Sequence, residues 1–181
     1  MLHKRINEFQ THKIKIKIND ELCDWSAYFM NKFFMFSSLV LPWLTLFFTN
    51  SINRKKYMPV TIFTSLLMTI IFQIAYTYKW WTIQEQIVPW GFMIDVSFAY
   101  GIFTVGTFWI FSYTSHNFIL YVIVNFIADS FMAYIALPLL GVLGIAKYEN
   151  ISPTQYLFVM FALSFIIYGY HQWQKKIFVD N

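Results

Sequence analysis

Charge is scarce in this chain: charged residues fill 12% of its 181 positions, while 58% are hydrophobic and 22% aromatic. Soluble domains carry about 25% charged residues, so the deficit points to a lipid bilayer as the medium for most of the surface. Cysteine is almost absent as well. Cys23 stands alone, which excludes an intrachain disulfide, a CxxC redox pair and a thiolate metal cluster. The four histidines, His3, His12, His116 and His171, show no HExxH or comparable spacing, so no metal centre is expected. A GxSxG nucleophile setting and a GxxxxGK phosphate cradle are also missing. These absences remove the usual hydrolase and nucleotide chemistries, and the expectation is a non-enzymatic protein without a cofactor.

What is present is a series of long apolar runs. A crossing helix needs about 20 mostly apolar residues, because it rises 1.5 Å per residue across a hydrocarbon core of about 30 Å. Five segments meet that requirement: Phe29–Phe48, Met58–Tyr78, Trp90–Ser112, Phe118–Leu140 and Pro153–Trp173. The sequence therefore predicts an all-α integral membrane bundle of about five transmembrane helices. A basic tail (1–28) precedes the helical domain (29–174), and a short C-terminal tail (175–181) completes the chain. The first run is the weakest, since Lys32 and Pro42 interrupt it; the lysine is expected to snorkel to the headgroups. No secretory signal is expected, because the first apolar run begins well into the chain.

Proline and aromatic placement support these boundaries. Pro59, Pro89 and Pro153 fall at the predicted starts, where a missing N–H is tolerated. Ser152 and Gln155 flank the last of them with capping-box spacing. Pro42 and Pro138 predict local kinks. Tyr57, Tyr76, Tyr78, Trp80, Trp81, Trp90, Tyr113, Tyr170 and Trp173 cluster at the predicted ends as an interfacial belt. The segment KWWTIQEQIVPW is expected to lie along that interface, with Glu85 in water.

The net charge of +4 is concentrated in HKRINEFQTHKIKIK, INRKKY and QWQKKIF, outside the apolar runs. Such flanking clusters set topology in a membrane protein and argue against nucleic acid as a partner. With five spans, Arg54, Lys55 and Lys56 share a side with Lys175 and Lys176. The tail lysines lie farther from a span end, so the C-terminus is expected to be cytoplasmic. The alternation in KIKIKI suits an extended arm, which either lies on anionic lipid or acts as a tether.

Polar groups inside the runs are the candidate site. An Asp at mid-bilayer costs about 2.5 to 3.5 kcal/mol on insertion scales, so Asp95 and Asp129 each need a partner or water. Asp95, in GFMIDVSFAYG, and Gln73 on the preceding span sit at matching depth and are expected to hydrogen-bond. Thr61, Ser65, Thr69 and Gln73 recur every fourth residue and predict one inward face. Asp95, Ala99 and Gly106 share a face of the third span, and Asn125, Asp129, Ala133 and Ala136 one side of the fourth. Ser164, Tyr168 and His171 line up on the fifth. Gln73, Asp95, Asn125 and Asp129 are thus the predicted interhelical polar seam. The two acids lack the YD and GxGD motifs of intramembrane aspartyl proteases, and their axial offset of about 9 Å disfavours a shared proton.

The seam admits two readings. The first is a structural or partner-binding membrane protein, with the bilayer and other membrane proteins as its partners. The second is a small-solute or proton-coupled transporter, or the substrate-binding subunit of an importer. Water-accessible acids favour the second, and dry, satisfied acids the first.

From Arg54 to Trp173, the segments RKKYMPVTIFTSLLMTIIFQIAYTYKWW, EQIVPWGF and IIYGYHQWQ resemble small multi-pass membrane proteins of unknown role from spore-forming, low-GC Gram-positive bacteria. The resemblance covers about two-thirds of the chain. It implies a bacterial cytoplasmic membrane and no particular activity.

Overall fold

The computed structural model describes residues 25, 26 and 28–179. Residues 1–24 and 27 of the predicted basic tail, including KIKIKI, His3, His12 and Cys23, lie outside the described residues. Among the described residues, five helical segments run back and forth: α1 (Tyr28–Phe48), α2 (Ser51–Thr77), α3 (96–114), α4 (Phe118–Val142) and α5 (Pro153–Val179). Four of them, α1, α2, α4 and α5, are long and apolar enough to cross a bilayer, which gives the chain the character of a membrane protein. Two three-residue strands, β1 (Trp81–Ile83) and β2 (Ala146–Tyr148), pair antiparallel with Thr82 opposite Lys147. They tie the α2–α3 and α4–α5 connections together at one end.

The third helix departs most from expectation. Residues 90–95 form turns, and helical backbone begins at residue 96, so Pro89 precedes a turn and not a helix. At 1.5 Å per residue α3 is about 28 Å long. The start of α2 moves the other way. Asn50 caps it by accepting from the Ile52 N–H at 3.2 Å, so the helix begins before Arg54 and Pro59 lies inside it. Pro153 does open α5, and the predicted capping box forms. The Ser152 N–H donates to Gln155 Oε1 at 2.9 Å, and the Gln155 N–H donates to Ser152 Oγ at 3.2 Å.

Both α3 and α4 contain wide turns with i→i+5 bonding, at Phe98–Phe103 and Met132–Ala136. The second has a local reason. Pro138 has no N–H for the carbonyl one turn earlier, and the π segment just before it absorbs the break. The first coincides with a close helix crossing. A Cβ added at Gly101 would lie 2.9 Å from Leu39 Cα on α1 and closer still to the Ser38 carbonyl oxygen, so only glycine fits there.

The buried face of α2 is Tyr57, Val60, Thr61, Thr64, Met68, Phe72 and Ala75, a spacing of three and four that keeps one stripe inward. A strict step of four drifts about 40° each time. From Thr61 to Gln73 the drift totals about 120°, and accordingly Thr61 is buried while Gln73 is exposed. The aromatic belt is also redrawn. Tyr57 and Trp81 are buried, and Trp81 packs edge-on against Phe72 and Tyr156, whereas Tyr78, Trp90, Tyr113 and Trp173 are exposed.

Candidate functional site

The four predicted seam residues do not meet at one place. Gln73 points outward, away from the core. Asp95 is 4% exposed and stands at the N-cap of α3, where its Oδ1 accepts from the Ser97 N–H at 2.9 Å and the Phe98 N–H at 3.3 Å. The expected Gln73–Asp95 bond is replaced by this cap. The reason is the later helix start: the first amides of a helix lack internal acceptors, and a short acidic side chain supplies one. Asp95 also borders a cavity of about 30 Å³, part of whose lining β1 and β2 supply through Trp81, Ile83 and Ala146. That volume suits about one water.

Asp129 lies farther along the bundle, half-buried near the middle of α4. It shares a second cavity, about 140 Å³, with Asn125 from α4, Gly106 and Thr107 from α3, and Ser164 from α5. Liquid water occupies roughly 30 Å³ per molecule, so this space suits about four to five. The Asp129 Oδ2 is buried and has no hydrogen-bond partner among the described residues. Asn125 turns its amide back to the Tyr121 carbonyl at 2.8 Å, and the Tyr121 hydroxyl donates to the Ser164 carbonyl at 2.8 Å. The neighbouring polar groups are therefore partly occupied, and the carboxyl oxygen is left over.

Phe103, Met132 and Met160 border both cavities. They form an apolar wall between the two acids, a feature that helical periodicity did not reveal. Phe103 closes the π segment of α3 and Met132 opens that of α4. Each π turn widens the helix and shifts the phase of the residues beyond it. For α3 this carries Gly106 into the Asp129 cavity, away from Asp95.

A third titratable group lies beyond the Asp129 cavity. Ile167 borders that cavity, and His171 is one turn farther along α5. Its ring is 0% exposed, packed 4.5 Å from Phe111 and 5.7 Å from Tyr57 between ring centroids, and neither nitrogen has a hydrogen-bond partner among the described residues. Gln174 is close by and donates to the Lys56 carbonyl at 2.8 Å. The basic clusters of α2 and α5 therefore share one end of the bundle.

At the opposite end, Lys32 is folded into the protein instead of reaching outward. Its ammonium lies 3.3 Å from the Glu85 carboxylate, contacts the Gln86 carbonyl oxygen and sits 5.0 Å from the Tyr28 ring centre. The 81–90 connection is consequently pinned against α1. On the strand pair, Lys147 and Glu149 form an exposed ion pair at 3.1 Å, and the Thr82 hydroxyl donates to the same carboxylate at 3.0 Å. Lys147 and then Thr82 hold the Glu149 carboxyl below its ordinary range. Among the described residues, no group of three metal-ligating side chains comes together.

No family model, curated protein or solved structure matches this chain.

Proposed function

We propose that the chain is a multi-pass protein of the cell membrane, and that its working group is Asp129, a carboxyl that takes up and releases a proton or a small cation within the bilayer. The role is binding and transfer, not catalysis. One observation carries this reading: the buried, unpartnered Asp129 Oδ2 at a 140 Å³ cavity between α3, α4 and α5. An intramembrane acid with a protein partner is accounted for by packing. One that faces a water-sized space marks an ion or proton site. Asp95 supports the contrast, since its buried carboxylate is already engaged as a cap.

A second reading, binding to another membrane protein, draws on α4 itself. Only 11% of its most apolar window is buried within the chain, against 22–33% for α1, α2 and α5. A partner helix seated there would cover it.

The hydrophobic reagent dicyclohexylcarbodiimide, which reacts with protonated carboxyls inside membranes, tests the proposal. Peptide mapping after treatment of the protein in vesicles should find the adduct on Asp129, and Asp129→Asn should remove it while the protein remains folded. Modification only at acids outside α4 would refute the assignment.

A further inference from the structure

The geometry points to a proton path through the bundle: the Asp95 and Asp129 cavities are its two halves, held shut by Phe103, Met132 and Met160. This rests on the reading of Asp129 as the working carboxyl and adds a route and a gate to it.

Three titratable groups, Asp95 and His171 buried and Asp129 half-buried, lie in order along the bundle axis. Asp95 is at the strand-capped end, Asp129 is near the middle of α4, and His171 lies toward the basic end. Next to Asp95, the Ser97 hydroxyl is buried against its carboxyl, and farther along, the Asp129 Oδ2 and both His171 nitrogens are buried with no hydrogen-bond partner among the described residues. Unpaired polar atoms buried in a protein are costly, about 1–3 kcal/mol each. Their recurrence at successive levels of one column has a common explanation if each serves as a station for a proton or a transient water.

The wall between the two cavities is made of residues that line both, Phe103, Met132 and Met160. Phe103 and Met132 sit at the inner ends of the two π segments, and π turns are less regular than α-helix and recur at functional sites. Methionine has three flexible torsions, so Met132 and Met160 can change rotamer without disturbing the backbone. When the wall opens, water joins the 30 Å³ and 140 Å³ cavities. A proton then passes from a hydronium on the Asp95 side along the file to the Asp129 carboxylate, leaving water behind. Release toward His171 returns the carboxylate, so neither step needs a further reactant.

The test uses the full chain in lipid vesicles loaded with a pH-sensitive dye, with proton entry driven by a potassium diffusion potential. Wild type should conduct slowly. Phe103→Ala should raise proton flux roughly tenfold, as expected if the ring supplies about 1.4 kcal/mol of the barrier. Phe103→Ala combined with Asp129→Asn should fall back to the wild-type rate or below, and Ile123→Ala on the exposed face of α4 should change nothing. If Phe103→Ala does not fold, Met132→Ala opens the same wall and is read in the same way. Wall variants that conduct no faster than wild type, while carbodiimide still modifies Asp129, would overturn the gate and leave the Asp129 site standing. A raised flux that Asp129→Asn does not reduce would be a general leak and would overturn the path.

Discussion

Asp95 gives the sharpest separation between a structural and an ionic role for a buried acid. Its Oδ1 accepts from two amides, Ser97 N–H and Phe98 N–H, at a site 4% exposed. Asparagine keeps that carbonyl oxygen and ranks with aspartate at N-caps. Alanine removes it and leaves both donors buried. Losing a cap costs about 0.5–2 kcal/mol, and a buried donor left unsatisfied about 1–3 kcal/mol, so Asp95→Ala should destabilise by about 2 kcal/mol. For a chain of this length that is a fall of about 4–8 °C in the midpoint of thermal unfolding. Asp95→Asn should stay within about 2 °C of wild type. Far-UV circular dichroism of the purified protein in mild detergent measures both. If Asp95→Asn fell as far as Asp95→Ala, the charge and not the cap would be what the fold requires, and the N-cap account would be wrong.

Gln73→Leu should leave the unfolding midpoint unchanged or raise it slightly, because the side chain faces outward; a loss above about 1 kcal/mol would show a buried partner. Gly101→Ala should cost about 1–3 kcal/mol by forcing α1 and α3 apart, read in the same melting experiment, and wild-type stability would contradict the close crossing. Because Glu149 titrates below its ordinary value of 4.5, its pairing with Lys147 and Thr82 is at full strength above that value and weakens as pH falls through the lower folded-state value. Amide exchange at Thr82 and Lys147, corrected for its intrinsic pH dependence, should therefore lose protection in acid, an effect that Glu149→Gln should remove. A reporter fused after Asn181 should be on the cytoplasmic side, since Arg54, Lys55 and Lys56 are brought to the same end as Lys175 and Lys176; external exposure would reverse the orientation.

The helical class and most element positions were legible because apolar run length has one dominant physical cause, the thickness of the bilayer. The Ser152–Gln155 box was legible because it depends on four consecutive residues. What was not legible depends on phase and on backbone irregularity. Gln73 was misplaced because spacing by four drifts around the helix, and Asp95 because the turn at residues 90–95 is as apolar as the helix after it. The π segments at Phe98–Phe103 and Met132–Ala136 leave little trace in hydropathy, yet they set which residues share a cavity. Only Asn125 and Asp129, one turn apart on α4, were bound to stay together whatever the packing. His171 was correctly aligned with Ser164 and Tyr168, but its burial depends on Tyr57 and Phe111 from two other helices.

The most direct test of the central claim is the infrared carbonyl band of the Asp129 carboxylic acid, identified by its loss in Asp129→Asn. If the group faces a hydrated cavity and exchanges protons, the band should shift promptly when vesicle-embedded protein is moved into heavy water. A band that persists unshifted, or one that is unaffected by Asp129→Asn, would contradict an accessible working carboxyl at this position.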